Sequence, residues 1–344
     1  MTGAAIAGMH VTFPGLMRQD EVWDGYFRRH YDGPRRGLAK RIFANSGVTT
    51  RHGAVNPLLE DASSWSTAKR MSRYLTEALP LGKDAVSGAL DAAGLRPDEI
   101  GLFVVCSCTG YATPGLDILL ARDLGMAADT QRLFIGHMGC YAALPGLGAV
   151  SDYVTARGRP AVLLCLELTS LHVQPPTDDP QQIVAHALFS DAAAAVVVQP
   201  GATGGRRVAG VVARTDASTA DHMTWDVTDL GFRMGLSPRV PDVLSRHVGG
   251  VVEELLTDAG LRIEDVAGWA VHPGGPRILD VVRDELGLPE AALAASRRVL
   301  AEHGNCSSAT VLLVLAELAD VAGPVVAMAF GPGLTLYAIL LLPT

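Results

Sequence analysis

A chain of 344 residues, 49% of them apolar, is long enough to bury a large core, which excludes a disordered or fibrous protein. The formal charge of -8 and the lack of a basic run leave little for a phosphate backbone to bind, which excludes a nucleic-acid partner. We therefore expect the partners to be small molecules or further copies of the same chain.

The start of the chain carries no recognisable targeting signal. Residues 1–17 lack the basic start and the cleavage pattern of a signal peptide. No apolar run approaches the roughly 20 residues that a membrane-spanning helix needs. The five cysteines are an odd number in a long chain, which favours free thiols in a reducing compartment over a disulfide framework. These features predict a cytoplasmic protein that does not bind membranes.

A helix followed by a strand is the first regular unit that the pattern predicts. Residues 85–93 have helical periodicity with Asp84 as the expected N-cap, and residues 102–105 predict a strand. Cys106 and Cys108 would share one face of that strand. Because no second pair lies at zinc spacing, we interpret both as core thiols and predict no metal site.

Cys140 lies at the start of a predicted buried helix. It follows the apolar segment 133–135 and precedes a mostly apolar helical segment that ends near Arg157. The unpaired N–H groups and partial positive charge of a helix N-terminus stabilise a thiolate and lower a cysteine pKa from about 8.5 toward roughly 3.5–7.5. A lone buried cysteine is more often a packing residue. Position alone therefore leaves a nucleophilic role and a packing role both open.

Motifs of the first half of the chain recur in the second half, in the same order and at nearly constant separation. The segment AGLR at residues 93–96 returns at residues 259–262, each time after a helical pattern and before an acidic pair and a strand. The pair Gly-Cys at residues 139–140 is echoed by Gly-Asn at residues 304–305. This repetition predicts two structurally similar halves.

The predicted joint between the halves is the Gly- and Pro-rich segment 199–205, which gives an N-terminal half of residues 1–204 and a C-terminal half of residues 205–344. Helix and strand signals alternate in both. Continuous apolar runs such as residues 162–165 and 325–328 are typical of strands buried on both faces. We predict an α/β fold of two halves packed face to face, with helices between the sheets and the site where the halves meet.

His272 is the histidine best placed for chemistry. It follows the strand-like residues 268–271 and precedes a Pro-Gly-Gly-Pro turn that opens a predicted helix at residues 277–286. The ends of strands are where α/β sheets bind ligands. Because the repeat places Asn305 opposite Cys140, we expect these two residues and His272 to form one catalytic set.

Five further segments occur in this order along the chain: MGCYA at 138–142, ALFSD at 187–191, HPGGP at 272–276, GNCSS at 304–308 and FGPGLT at 330–335. Together they resemble the motif pattern of bacterial type III polyketide synthases, the chalcone synthase-like family of the thiolase superfamily. The resemblance extends from about Lys40 to the C-terminus. It implies the thiolase fold, in which two duplicated α/β halves form a five-layer αβαβα sandwich.

The resemblance also implies roles for individual residues. Cys140 falls on the acyl-carrying nucleophile of the family, and His272 and Asn305 fall on its catalytic partners. Phe189 and Phe232 fall on two gatekeeper phenylalanines between the coenzyme A tunnel and the internal cavity. Without the resemblance, aromatic residues in apolar segments are usually interpreted as core.

Further positions match residues that bind substrate in the family. Those at its internal cavity, which shape starter choice and cyclisation, are Cys108, Thr109, Thr113, Thr169, His172, Met223 and Ser307. Arg41 matches a basic residue that holds the coenzyme A phosphates, whereas Leu38 and Asn45 occupy two further positions that are basic in plant members. The other ionic contacts with the phosphates would come from nearby basic residues, namely Arg35, Arg36 or Lys40.

The implied activity is that of an acyltransferase. A starter from an acyl-CoA is stored on Cys140, extended by decarboxylative condensation with malonyl-type CoA and released as a cyclised or linear polyketide. CoA thioesters are substrates, so no cofactor is expected, and the family implies a homodimer in which Thr113 reaches into the partner's cavity. A single-condensation enzyme or acyltransferase similar to β-ketoacyl synthase III uses the same Cys-His-Asn set and remains an alternative. A non-catalytic partner subunit is disfavoured by the intact set.

Overall fold

The computed structural model describes residues 3–33 and 35–344; Met1 and Thr2, from the segment considered above as a signal peptide, lie outside the described residues. The strands are β1 (Ala4–Thr12), β2 (Gly15–Arg18), β3 (Thr50–Gly53), β4 (Leu102–Cys106), β5 (Gln131–Ile135), β6 (Ala161–Leu168), β7 (Asp191–Pro200), β8 (Arg206–Thr215), β9 (Met223–Thr228), β10 (Gly231–Leu236), β11 (Gly268–Val271), β12 (Val325–Gly331) and β13 (Thr335–Pro343). The α-helices are α1 (Gln19–Val22), α2 (Arg28–His30), α3 (Arg36–Ala44), α4 (Thr67–Ala93), α5 (Leu116–Leu124), α6 (Ala143–Arg157), α7 (Pro180–Leu188), α8 (Val240–Thr257), α9 (Pro276–Leu286), α10 (Ala294–His303) and α11 (Thr310–Glu317). None of the described helices is long and apolar enough to cross a membrane.

The two halves contribute to one mixed sheet with the strand order β11-β12-β13-β8-β1-β7-β6-β4-β5. In the N-terminal half, β4 and β6 are parallel and β7 runs antiparallel to β6. In the C-terminal half, β11 and β12 are parallel and β13 runs antiparallel to β12. The junction is narrow, because β8 pairs with β13 along its length but with β1 only through Ile6 and Arg206. Each half therefore keeps its own sheet, and the two sheets meet at one edge.

Helices cover these sheets in three layers. α4 and α5 pack on the outer face of the N-terminal sheet, where Phe103 and Leu164 are buried. α8 and α9 pack on the outer face of the C-terminal sheet, against Trp269 and Val326. α6 and α11 lie between the sheets, in a core that takes side chains from the strands of both halves. The predicted five-layer sandwich is confirmed.

The two central helices are buried and apolar over their first turns. In α11 the first six residues, of sequence TVLLVL, are all buried, and in α6 the buried positions include small residues such as Gly146 and Gly148. A helix that is hydrophobic all round belongs in an interior. The short turns that precede these helices, Gly139–Tyr141 and Ser307–Ala309, contact each other. The centre of the molecule thus brings together the starts of two buried helices.

The repeated AGLR motifs occupy equivalent places in the two halves. The main-chain N–H of Arg96 donates to the Glu99 carboxylate at 2.8 Å, and that of Arg262 donates to the Asp265 carboxylate at 2.8 Å. Each contact closes a short 3-10 turn that leads into a strand, β4 in one half and β11 in the other. The acidic pair after each motif therefore caps the turn before a strand.

Two local predictions are wrong. The helix expected at residues 85–93 runs from Thr67, and its N-cap is Ser66, whose hydroxyl accepts from the Lys69 N–H, rather than Asp84. Pro80 lies inside this helix, and a proline usually ends or kinks a helix, which is why the sequence pattern misplaced the start. The strand β4 ends at Cys106, so Cys108 lies in the loop beyond it and does not share a strand face with Cys106.

Candidate active site

Two segments that each contain a glycine with positive φ carry catalytic candidates. Gly139, with φ 73°, precedes Cys140, and Gly304, with φ 72°, precedes Asn305. Both glycines lie in the left-handed region, which residues with a Cβ rarely adopt. A Cβ on Gly139 would also lie 2.9 Å from Pro332. The repeated glycine therefore meets a backbone requirement of both turns.

A cavity of about 490 Å³, which we call the outer cavity, lies where the halves meet, and Cys140, His272 and Asn305 line its wall. Phe189, which follows α7, and Pro276, at the start of α9, are further lining residues. The catalytic candidates are only 7%, 1% and 3% exposed, respectively, so their reactive groups are shielded from bulk water. The structure brings the three residues into one buried site.

Asn305 is fixed with its amide nitrogen available for a ligand. Its Oδ1 accepts from the Ser307 N–H at 2.9 Å and from the Thr310 hydroxyl at 3.5 Å. Its main-chain N–H donates to the Leu188 carbonyl at 2.8 Å, and its carbonyl accepts from the Ser190 N–H at 2.9 Å. These contacts occupy the oxygen end of the side chain, so the Nδ2 group is the free donor that it presents to the cavity.

His272 stands at the carboxyl end of β11, where its main-chain N–H donates to the Met328 carbonyl at 2.8 Å. Both ring nitrogens are buried, and neither has a hydrogen-bond partner among the described residues. Burial lowers the pKa of His272 to about 3, so the imidazole is neutral at neutral pH. A neutral imidazole can accept a proton at one nitrogen and donate from the other.

Cys140 is in a different electrostatic state from the one that the sequence predicts. Burial raises its pKa to about 12, although the Ser307 hydroxyl, 3.7 Å from Sγ, lowers it. The predicted lowering of the pKa is wrong here, because removal from water outweighs the partial charge of the helix end. Cys140 also lies within the turn Gly139–Tyr141, which precedes α6, and not in the first turn of α6 itself. No hydrogen bond joins the described side chains of Cys140 and His272.

A buried carboxyl group, Glu167, lies beside the site and was missed by the sequence analysis. It is 1% exposed and accepts from the Cys108 N–H at 3.0 Å and the hydroxyls of Thr109 at 2.8 Å and Ser308 at 2.6 Å. Ser308 belongs to the Asn305 turn, so this carboxyl group links the two halves beneath the site. A single acidic residue within the apolar run of β6 was the signal that could have found it.

A much smaller space of about 20 Å³, which we call the inner chamber, also has Cys140 in its wall. The predicted cavity residues that line it are Cys108, Thr109, Thr169, Met223 and Ser307. His172 lies outside both spaces, with its ring nitrogens bonded to the Thr109 carbonyl and the Phe232 N–H. Thr113 is exposed on the surface of this chain. Roles in substrate binding stay predictions for all of these residues.

The junction between the outer cavity and the inner chamber is formed by one of the two predicted gate residues. Phe189 lines both spaces, and its role as a gate stays a prediction. Phe232 lines neither; its ring stacks on His172 with centroids 4.5 Å apart. Met234, two residues further along β10 and on the same face, lines both spaces instead. Phe189, Met223 and Met234 thus line both spaces, whereas the ring of Phe232 is stacked on His172 and lines neither.

A surface groove near Arg41 continues into the outer cavity, since Pro276 lines both. Arg41 is exposed in this groove, and Arg277, which sequence reasoning did not single out, lines the outer cavity. Arg35 and Arg36 form ion pairs with aspartates. Two arginines, 41 and 277, thus stand along the path from the surface to Cys140.

The five-layer fold, with a cysteine, a histidine and an asparagine in a cavity between its halves, defines a condensing enzyme of the thiolase class. The family model described as chalcone and stilbene synthases, N-terminal domain, matches residues 6–202, and the model for the C-terminal domain of the same family matches residues 215–343. The chain belongs to the chalcone and stilbene synthase family, and it is a type III polyketide synthase.

Individual relatives agree with this assignment. The chain is 41% identical over 315 residues to 1,3,6,8-tetrahydroxynaphthalene synthase of Streptomyces peucetius subsp. caesius, covering 88% of this chain and 82% of that protein. It is 33% identical to the alpha-pyrone synthesis polyketide synthase-like Pks18 of Mycobacterium tuberculosis, over 98% of this chain and 91% of that protein. The crystal structure of 1,3,6,8-tetrahydroxynaphthalene synthase from Streptomyces coelicolor A3(2) superposes with a TM-score of 0.92, at 31% identity over 99% of both chains.

Glu167 predicts a specific dependence of stability on pH. Burial raises its pKa to about 7, well above the ordinary value of about 4.3. Its contribution to stability is therefore complete below the ordinary pKa and is lost as the pH rises through about 7. In the Glu167→Gln variant the side chain at this position cannot ionise. The free energy of unfolding of wild type relative to this variant should fall by roughly 3 kcal/mol between about pH 4 and pH 8, at about 1.4 kcal/mol per pKa unit.

Urea unfolding of both proteins at a series of pH values measures this difference. Asp191, a second buried carboxyl group with a raised pKa, is present in both proteins, so its contribution cancels. A difference in free energy that stays constant over this pH range would show that Glu167 does not titrate with a raised pKa.

Proposed function

We propose that this enzyme transfers an acyl group from an acyl-CoA to Cys140 and extends it by decarboxylative condensation with a malonyl-type CoA. The product leaves as a cyclised or linear polyketide. The observation that carries the proposal is that Cys140, His272 and Asn305 share the wall of one buried cavity, which a groove connects to the surface.

Loading of the starter needs a nucleophile and a base. The neutral imidazole of His272 is in the correct state to accept the thiol proton of Cys140 as the sulfur attacks the acyl-CoA thioester. The bond from the acyl carbon to the coenzyme A sulfur then breaks, the leaving thiolate takes the proton from His272, and the acyl group remains as a thioester on Cys140. Because burial raises the pKa of Cys140, its thiol would lose the proton to His272 during the attack and not before it.

Extension needs stabilisation of an enolate. Loss of CO2 from a malonyl-type thioester leaves negative charge on the thioester oxygen, and donors fixed in a site shielded from water stabilise such charge strongly. The Nδ2 group of Asn305 and a ring N–H of His272 are the donors proposed here. The enolate carbon then attacks the acyl thioester on Cys140. The new carbon–carbon bond forms, the bond from the acyl carbon to Sγ breaks, and Cys140 is released as a thiolate while the extended chain stays on coenzyme A.

Binding of the two CoA thioesters is proposed along the groove. Arg41 in the groove and Arg277 beside the outer cavity would hold the coenzyme A phosphates, because guanidinium groups bind phosphate well. The pantetheine arm would then reach Cys140 past Pro276. The thioesters enter as substrates, and the steps above require no resident cofactor.

A single condensation remains the second candidate. It would use the same three residues and the same outer cavity. The small volume of the inner chamber, about 20 Å³, favours few extensions over many. Product masses from a panel of acyl-CoA starters with malonyl-CoA separate the two candidates.

The first prediction from this mechanism is that loading and decarboxylation depend on different residues. Cys140→Ala should abolish covalent loading and extension, while malonyl-CoA decarboxylation persists at a measurable rate. Asn305→Ala should load the starter but decarboxylate about 10²–10³ times more slowly, the usual effect of removing one oxyanion donor. His272→Ala should impair both steps. Intact-protein mass measures loading, and labelled CO2 release measures decarboxylation.

Cys165→Ala is the matched control, because Cys165 is an equally buried thiol on β6 away from the outer cavity. It should load and extend like wild type. An acyl mass on Cys140→Ala, or wild-type decarboxylation by Asn305→Ala, would contradict the proposed roles.

The gate gives a second prediction. We propose that Phe189 and Met234 control passage between the outer cavity and the inner chamber. Met234→Ala should change the preference between a small and a bulky acyl-CoA starter by about tenfold or more, in the range that pocket contacts usually give. Phe232→Leu should leave this preference near wild type, because Phe232 lines neither space. Competition between two starters, followed by mass spectrometry of the products, tests the pair, and the reverse pattern would restore Phe232 as the gate.

A homodimer is also proposed. Tyr111 and Ile118, on either side of Thr113 in sequence, are 71% and 40% exposed, and Leu133 on the edge strand β5 is 44% exposed. Exposed apolar side chains close together are typical of an interaction surface. This surface lies in the N-terminal half, through which members of the family pair.

Light scattering at micromolar concentration should therefore give twice the chain mass. Leu133→Asp should shift the protein toward the monomer, because a charge would be buried in the interface. Val227→Asp, at a side chain that is 73% exposed on β9, is the control and should stay dimeric. A monomeric wild-type protein would rule out the dimer.

A further inference from the structure

The inner chamber is too small for a chain that grows on Cys140. Its volume is about 20 Å³, and a space of roughly 10–15 Å³ holds a single water molecule. The outer cavity, at about 490 Å³, is the side from which the CoA thioesters would reach Cys140. Repeated extension, as proposed above, therefore needs further space on the inner side.

Such space lies directly behind the chamber wall. A third cavity of about 50 Å³, which we call the rear cavity, is lined by residues of the N-terminal segment and the loop after β3, such as Val22, Phe27 and Val55. It shares four lining residues with the inner chamber, namely Thr169, Phe189, Trp225 and Met234. These four side chains form the partition between the two spaces.

The rear cavity has a mixed lining: apolar side chains such as Val22, Phe27 and Val55 stand beside Arg51, Glu60 and several histidines. His186 has both ring nitrogens engaged, one with the Tyr31 hydroxyl at 2.5 Å and the other with the Gln174 N–H at 3.0 Å. His172 has both engaged as well, with the Thr109 carbonyl at 2.7 Å and the Phe232 N–H at 3.0 Å. The rings therefore present carbon to the cavity. The apolar part of the lining would accept a hydrocarbon chain.

Trp225 is the largest member of the partition and is held in place at its edges. Its Nε1–H donates to the Cys108 carbonyl at 2.8 Å. Its ring meets His172 and Phe232 edge to face, with centroids 5.4 Å and 6.0 Å apart. On the β9–β10 hairpin it pairs with Met234 of the gate. Trp225 is only half-buried, so its replacement removes less packing than loss of a core tryptophan.

We infer that Trp225 is a specificity-determining residue whose indole closes the inner chamber against the rear cavity and so keeps the acyl chain on Cys140 short. The rear cavity is then a closed acyl-chain pocket. A small residue at position 225 would join the two spaces and add the volume of the indole to them. The inference rests on the proposed function, because it concerns the chain that Cys140 is proposed to carry.

The test compares Trp225→Ala and Trp225→Phe with wild type. Each protein is given short, medium and long linear acyl-CoA starters with malonyl-CoA, and the products are identified by mass spectrometry. Trp225→Ala should use the long starters at least about tenfold better relative to the short ones, since apolar pocket contacts commonly discriminate by roughly 10–200-fold. It should also add one or more further extender units to the short ones. Trp225→Phe, which loses the N–H donor and part of the bulk, should lie between Trp225→Ala and wild type.

Val227→Ala is the matched control, since Val227 lies on the same strand and is 73% exposed at the surface. Its product pattern should equal that of wild type. Intact-protein mass of wild type with each starter reports on the proposed function: no acyl mass on Cys140 would reject the mechanism itself. If wild type loads and extends, and both Trp225 variants load yet give wild-type products and starter preference, the inference about Trp225 is overturned. Should Trp225→Ala fail to fold, Trp225→Phe decides by the same criterion.

Discussion

The active site depends on the close approach of two helix starts inside the central layer. The turn before α6 carries Cys140, the turn before α11 follows Asn305, and the two turns contact each other. A glycine with positive φ precedes each of Cys140 and Asn305, and a Cβ on either glycine would meet a neighbour at 2.9 Å. The Ser307 hydroxyl stands between the thiols of Cys108 and Cys140, at 3.5 Å and 3.7 Å. The packing at the boundary between the halves therefore determines both the fold there and the positions of the candidate site residues.

Burial shifts the pKa values of the titratable groups at the boundary between the halves. Three buried groups lie here: the thiol of Cys140, the imidazole of His272 and the carboxyl of Glu167. Desolvation shifts the pKa of each in the direction that favours its neutral form. Charge that develops during a reaction would then be stabilised by the few donors that the protein has fixed, such as the Asn305 amide. The same burial raises the free energy of ionising Glu167, and hydrogen bonds from three donors, which come from both halves, offset this increase in part.

The sequence predicted those features that follow from local chain geometry. The internal repeat identified the turns of Cys140 and Asn305, because a Gly before each is a local requirement, and strand-end geometry identified His272. The gate roles of Phe189 and Phe232 stay predictions. Phe232 and Met234 share a face of β10, and the stacking of Phe232 on His172, which the sequence does not show, leaves Met234 as the one that lines the junction. Trp225 was missed for a related reason. Its place in a cavity wall depends on how the β9–β10 hairpin docks against residues far away in sequence, such as Cys108.

The way the strands pair also has a consequence for the order in which the chain folds during synthesis. β1 at the very start pairs with β7, so the N-terminal sheet can close only when about the first 200 residues have left the ribosome. At that stage α6 lies on one face of the sheet with its other side uncovered, because α11 and the strands β12 and β13 come later. Nascent chains that have completed one half thus expose an apolar helix for as long as translation of the other half takes. Intermediates of this kind are prone to aggregate and are natural clients of chaperones.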